Sequence, residues 1–201
     1  MSERERWETR FSSSGYLFGK EPNAFLKSQA NRLRAGQTAL SIADGEGRNG
    51  VWLAEQGLDV LAIDFSPAAL AKALALAQER GVKLRTEIAD VTSWKWPQES
   101  FDVVTAIFVQ VVFPADRPAF FANLKRALKP GGLLFLQGYR PEQLNYRTGG
   151  PPEAERMYTR AILEEAFGDF SELDIREHDS ALDEGSAHVG MSALIDLVGR
   201  K

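Results

Sequence analysis

The sequence predicts an α/β fold: a mostly parallel seven-stranded sheet covered by helices, with the last strand antiparallel. Three observations lead there. Short apolar runs at 38–43, 59–64, 83–89, 101–109 and 133–139 alternate with helical patterns, the rhythm of strands joined by crossover helices. The runs are nearly unbroken in their apolar content, as expected of strands buried on both faces. Beyond residue 152 the rhythm changes. Two further runs, about 170–178 and 189–198, are separated only by about 179–188, too little for a crossover helix, so they are expected to pair antiparallel.

The elements follow in order. TALSIA at 38–43 ends in the turn Asp44-Gly45-Glu46-Gly47, and a helix covers 49–56. DVLAID at 59–64 is the second strand. Ser66-Pro67 opens an Ala/Leu helix to Arg80, because Ser caps and Pro suits the first helical position. Gly81 closes it, and 83–89 is the third strand. FDVVTAIFV at 101–109 is the fourth, and the helix 115–128 stops at Lys129-Pro130-Gly131-Gly132. LLFLQGY at 133–139 is the fifth. RPEQLNYRTGGPP at 140–152 is long for a mere connection, as binding loops often are, and a helix follows near 159–167.

Composition narrows the function. The chain of 201 residues fits one domain. It holds 24 Lys and Arg against 28 Asp and Glu, a net charge of -4, which argues against a nucleic-acid clamp. The absence of cysteine excludes disulfides, thiolate metal sites and cysteine nucleophiles, and it fits a cytoplasmic protein. The longest apolar stretch, Val103–Phe113, is about half the ~20 residues of a membrane span. The opening MSERERWETR lacks the apolar core of a signal peptide. The expectation is a cytoplasmic monomer or weak homodimer acting on a small molecule, without nucleic acid, membrane or metal.

An open α/β sheet binds its ligand at the carboxyl ends of the strands, which places Asp44, Asp64, Asp90 and Phe108 around one crevice. Gly45, Gly47 and Gly50 spell G-x-G-x-x-G, and Asp64 follows Asp44 by twenty residues. Taken literally this is the dinucleotide fingerprint, and a nicotinamide-dependent oxidoreductase is the rival reading. That class normally needs a further substrate domain, for which the chain has little room. Asp44 and Glu46 also put two carboxylates where a pyrophosphate needs bare N–H groups, and Arg48 offsets them only in part. A ligand carrying an ammonium and a sulfonium, and no phosphate, suits the turn better. S-adenosylmethionine is that ligand.

Residues 39–53 (ALSIADGEGRNGVWL), Asp64, Asp90 and the LKPGG ahead of the fifth strand resemble the class I S-adenosylmethionine-dependent methyltransferases. The resemblance implies their single-domain Rossmann-like fold. GEGRN, YLFGKEPNAFL at 16–26 and PEQLNYRTGGPP at 141–152 are similar to a bacterial branch related to the tellurite-resistance methyltransferase and, more distantly, to thiopurine S-methyltransferase. On that resemblance one domain spans 1–201: an amino-terminal lid and helix over 1–37, a cofactor-binding core over 38–139, and a substrate loop, helix and terminal antiparallel hairpin over 140–201.

The resemblance also implies residue roles. Asp44, with the Ala43, Gly45 and Gly47 backbone, would hold the methionine end of the cofactor. Asp64 would accept both ribose hydroxyls, with Phe65 near the adenine. Asp90 would accept from the adenine amino group, and Ala89 and Val91 would frame the ring. Ile107 and Phe108 would lie under the cofactor, and Trp7 and Phe18 belong to a segment resembling a lid. Two departures stand out: Ser41 occupies a position where many relatives have an acid, and Ala43 one where they have glycine.

For the acceptor, Tyr16, Arg140, Tyr146 and His188 are the expected pocket residues, Arg140, Tyr146 and Arg147 giving the loop a cation and a phenol without an acid. Gln110 stands where the branch often has His. His178, in the charged stretch REHD, reads as exposed surface, and Trp94 and Trp96 as covers for a sheet edge. No dense base constellation is visible, so no catalytic residue is assigned. A hard alcohol or amine needs its proton removed, whereas a thiolate, selenolate or reduced tellurium oxyanion needs little base. This favours a small, soft acceptor. A non-catalytic S-adenosylmethionine-binding module is the further alternative.

Overall fold

The computed structural model describes residues 2–201. Its strands are β1 (Thr38–Ile42), β2 (Asp59–Asp64), β3 (Arg85–Ile88), β4 (Phe101–Ile107), β5 (Leu128–Tyr139), β6 (Glu172–Glu184) and β7 (His188–Arg200). Its α-helices are α1 (Glu3–Phe11), α2 (Ala24–Ser28), α3 (Arg48–Glu55), α4 (Pro67–Glu79), α5 (Arg117–Ala127), α6 (Gln143–Tyr146) and α7 (Arg160–Phe167). The strands form a seven-stranded sheet in the order β3-β2-β1-β4-β5-β7-β6. The expected mostly parallel α/β sheet is present, with β7 antiparallel to β5 from Leu133↔Arg200 to Tyr139↔Leu194. Among the described residues no helix is long and apolar enough to cross a membrane.

The chain divides into two compact units. The first runs to Trp94 and includes Glu184–Ala187; the second comprises Lys95–Asp183 and His188–Lys201. In the first, β2 lies parallel to β1 and β3, with Ile42 opposite Ile63 and Asp64 opposite Ile88. This register brings the three carboxyl ends level. The α4 helix starts as expected, with Ser66 Oγ accepting from Ala69 N at 3.1 Å and Pro67 in the first turn. Its buried Ala69, Ala73 and Ala77 recur every fourth residue, a small-residue stripe that lets neighbouring backbone come close. A capping box starts α1: Glu5 N donates to Ser2 Oγ and Ser2 N to Glu5 Oε2.

In the second unit β4 and β5 are parallel, and Phe121, Phe135, Leu136, Tyr158, Phe167 and Leu197 fill the core. Here the structure corrects several boundaries. The α5 helix ends at Ala127, and β5 begins at once with Leu128 rather than at 133. Lys129–Gly132 forms an irregularity inside the strand, where the register passes from Phe101↔Leu128 to Val103↔Leu133. Strands β6 and β7 are also longer than expected, leaving only 185–187 as their turn. The polar run HDSALDE is an edge strand held by ladder hydrogen bonds, so its composition resembles a loop. Trp94 does cover an edge strand, its indole donating to Glu87 of β3 at 2.7 Å. Trp96 instead is buried against Phe120 of α5, with ring centroids 6.0 Å apart.

Candidate cofactor and acceptor sites

The first unit carries the glycine turn. Ala43 leaves β1 with φ 47°, a left-handed conformation that is strained for any residue with a Cβ. A glycine, which the resemblance leads one to expect here, would carry no such strain. The Asp44 carboxylate folds back on the turn: Oδ1 accepts from Ser41 Oγ at 2.6 Å and from Gly50 N at 3.0 Å. A Cβ on Gly50 would lie 2.4 Å from Asp44 Oδ2, so the third glycine of the motif makes room for that carboxylate. Ser41, one of the two departures from the resemblance, is therefore a hydrogen-bond partner of Asp44.

Asp64 closes the other side of the turn. Its Oδ2 accepts from Gly45 N at 2.9 Å and its Oδ1 from Ser66 N at 2.9 Å. Its backbone oxygen accepts from Ala89 N at 2.9 Å, tying the ends of β2 and β3 together. Burial pushes the Asp64 carboxyl up to about 6, against the downward pull of the Ser66 and Gly45 amides. Burial raises Asp44 as well. Two desolvated carboxyls thus border the turn. Phe65 is half-buried beside Asp64, Ala89 and Val91 are buried, and Asp90 is exposed. The Asp90 Oδ1 accepts from Thr92 N at 2.9 Å and Thr92 Oγ1 at 2.7 Å, which shapes its own turn.

Aromatic rings cover Gly45. The Phe11 ring lies 3.4 Å from where a Gly45 Cβ would be, and it stacks on Trp7 at 5.4 Å and meets Phe18 edge-on at 6.3 Å. Phe11 is absent from the expected site; its spacing of four from Trp7 on one helix was the available signal. The segment is docked by Glu8, which accepts from Ser66 Oγ at 2.5 Å, and by Leu17 N, which donates to Glu46 Oε2 at 2.6 Å. Glu46 also pairs with Lys72 at 2.8 Å. The reading of Glu46 as negative charge for the ligand is therefore corrected: it binds the amino-terminal segment. Tyr16 packs its ring on Val51, Leu76 and Ala77, and its hydroxyl donates to Lys72 O at 3.1 Å, which ties the segment down.

The second unit holds Ile107, buried at the end of β4, and Phe108, whose φ is 57°. The Phe108 N–H donates to Gln137 O at 2.7 Å, which fixes this strained residue. Its ring packs against Tyr139 at 4.8 Å and His188 at 4.5 Å. His188 is buried and meets Tyr139 edge-on at 5.9 Å. Gln110 is a backbone clamp, accepting from Tyr139 N at 2.7 Å and donating to Tyr139 O at 2.9 Å.

Arg140 and Tyr146 do meet, through an acid on β6. Asp179 of β6 takes Arg140 Nη2 at 2.5 Å and Tyr146 Oη at 2.8 Å. Arg140 Nε also donates to Leu194 O at 3.0 Å. The expected acid-free loop is thus an ion-paired one, because the longer β6 carries Asp179 to it. His178 is likewise no bare surface residue. Its ring nitrogens lie 2.8 Å from Ser180 Oγ and 2.9 Å from Asp196 Oδ2, on a rung that a loop would not have supplied.

A parallel α/β sheet with a glycine turn after its first strand and a carboxylate closing its second defines a Rossmann-like protein. Residues 39–132 match the family model of the methyltransferase domain. Phosphoethanolamine N-methyltransferase 1 of Triticum aestivum is 32% identical over 128 residues, covering 61% of this chain and 24% of that protein. The glycine/sarcosine N-methyltransferase of Halorhodospira halochloris is 32% identical over 147 residues, 70% of this chain and 48% of that one. The chain thus spans about a quarter to a half of the length of these relatives. Among solved structures, TehB from Haemophilus influenzae superposes with a TM-score of 0.70 at 15% identity, over 98% of this chain and 66% of that one. The stretch 39–132, just under half of the chain, is thus similar to methyltransferase domains, and the structural neighbours include S-adenosylmethionine-dependent methyltransferases. S-adenosylmethionine is the cofactor of that class.

Proposed function

We propose that this protein transfers the methyl group of S-adenosylmethionine to a small-molecule acceptor, and that the acceptor atom is a soft sulfur, selenium or tellurium nucleophile. One observation carries the donor assignment. Asp44 and Asp64 are buried carboxyls held by Ser41, Gly45, Gly50 and Ser66. Such a cradle suits hydroxyl donors and positive charge and repels phosphate. A carboxylate accepts about four hydrogen bonds, so Asp64 keeps capacity for ribose hydroxyls. The cofactor when bound supplies a methyl group already activated on a sulfonium.

The chain's own residues then do the rest. Asp64 orients the ribose, while Phe65, Ala89, Asp90 and Val91 frame the adenine. The Asp44 carboxylate favours the ammonium, and Trp7, Phe11 and Phe18 keep water from the donor. Phe108, Tyr139 and His188 contact the acceptor. When the methyl group passes to the acceptor, any proton the acceptor carries would be taken by His188 or by water.

The soft acceptor is supported by the residues available as bases. Of the two histidines, His178 is engaged with Asp196, and His188 sits among aromatic rings. An amine acceptor is the second reading, favoured by the N-methyltransferase names of both relatives. Labelled S-adenosylmethionine offered with thiols, tellurite, selenite and small amines decides. Methylated chalcogen supports the first reading, and methylated amine alone the second. Micromolar S-adenosylhomocysteine affinity without turnover would mark a non-catalytic module. Tight NAD binding with no response to S-adenosylhomocysteine would overturn the donor assignment.

A further inference from the structure

Three polar residues of the glycine turn face the amino-terminal chain. Glu46, Arg48 and Asn49 all reach to the chain between Leu17 and Ala24. Glu46 accepts from Leu17 N, Asn49 Oδ1 accepts from Asn23 N at 3.0 Å, and the Arg48 guanidinium lies 6.0 Å from the Phe18 ring. The tip of the β6–β7 hairpin, residues 184–187 of the same unit, meets this strap. Glu184 pairs with Arg48 at 2.8 Å, both side chains being about nine-tenths buried. Its other oxygen accepts from Asn23 Nδ2 at 3.0 Å and from Ala24 N at 3.2 Å.

Backbone contacts extend the same junction. Leu17 O accepts from Ser186 N at 3.0 Å and Ala187 N at 3.3 Å. A Cβ on Gly185 would come within 2.4 Å of Phe18 C and Gly19 N and 2.6 Å of Leu17 O. Gly185 has φ 68°. Only glycine fits this approach, on both counts.

We infer that Glu184 is a positioning residue for the donor, the catch that holds the amino-terminal strap against the glycine turn and so sets how fast the donor and its product leave. One carboxylate grips both parts at once: Arg48, the residue after Gly47 of the turn, and the strap at Asn23–Ala24. The strap in turn carries Phe18, whose ring meets Phe11 over Gly45. Loosening Glu184 frees the strap, and with it the aromatic cover, without touching Asp44 or Asp64. The inference rests on the donor reading above.

The test is the release rate of S-adenosylhomocysteine, followed by stopped-flow displacement. Glu184→Gln keeps the shape and loses the charge; Glu184→Asp keeps the charge and loses the reach, and serves where the first variant folds poorly. Release should quicken about tenfold or more in either, with association changed less than threefold. The KM for the donor should rise while kcat at saturating donor holds within about twofold. Hydrogen exchange should quicken at residues 17–24 but not in β4 and β5. Faster exchange at 17–24 with unchanged release would overturn the inference, because the strap would then be open without consequence. A loss confined to association would overturn it too. Failure of the unaltered protein to bind S-adenosylhomocysteine is a different result, which removes the donor reading itself.

Discussion

Gly50 lacks a side chain where the carboxylate of Asp44 needs the space: a Cβ there would lie 2.4 Å from Asp44 Oδ2, and the Gly50 N–H donates to the same carboxylate. Gly50→Ala should therefore expel Asp44 from the turn and break its bond to Ser41. We expect a loss of about 2 kcal/mol of stability and at least tenfold weaker S-adenosylhomocysteine binding. Thermal unfolding and calorimetric titration of the variant check both.

Asp64→Ala should weaken S-adenosylhomocysteine binding by about 1–3 kcal/mol, the loss expected when buried hydrogen-bond donors lose their acceptor. Titration calorimetry measures it directly. Unchanged affinity would mean that the ribose is held elsewhere.

The pH dependence has two opposite signs. The Asp64 carboxyl is raised by burial to about 6 in the folded chain, against about 3.9 unfolded. Between these values the folded state holds the proton and the unfolded state does not. Ligand-free stability should thus rise as pH falls from about 7 through 6 towards 4, by on the order of 3 kcal/mol from this group. Asp44, also raised by burial, adds in the same direction. Cofactor affinity should fall over the same range, since the protonated carboxyl loses acceptor capacity. Denaturant titrations and binding isotherms from pH 4.5 to 7.5 would show whether the two curves cross.

Ala43 sits at φ 47°. Replacing it with glycine removes a strain of roughly 1–2 kcal/mol and adds unfolded-state entropy worth about 0.5–1 kcal/mol. Ala43→Gly should be more stable by about 0.5–1 kcal/mol, read from the shift in the urea midpoint.

His188→Phe retains a ring against Phe108 and Tyr139 but no nitrogen. Donor binding should be unchanged. Turnover of a thiolate should fall less than threefold, while turnover of an amine should fall by about 10²–10⁴ if His188 takes its proton.

Local chemistry was legible in the sequence, and distant partnership was not. Ser66-Pro67, the strand periodicity and the Asp44–Asp64 spacing all depend on neighbours in the chain, and the structure bears out the elements they marked. Glu46 and Tyr16 have their protein partners, Leu17 and Lys72, 29 and 56 residues away, beyond the reach of local pattern. The same holds for Arg140 with Asp179, separated by 39. For Phe11 the spacing of four from Trp7 marks a shared helix face, but nothing local marks Gly45, which its ring covers. The Lys129–Gly132 run follows the end of a helix as expected, but the same residues also fit inside a strand as a bulge.

Hairpin tips are ordinarily where a sheet tolerates added length, tags and new termini. Here that freedom lies elsewhere. Nothing stands within 4 Å of a Cβ at Gly36, Gly81 or Gly131, whereas Gly185 is closed on the Leu17–Gly19 backbone. Inserted peptides, affinity labels or a circular permutation should be accepted near Gly81, between α4 and β3. The same insertion at the β6–β7 turn would prise the chain's amino-terminal segment away from its seat. Length variation among natural homologues should follow that division, with loops growing at the open glycines and the three-residue tip staying short.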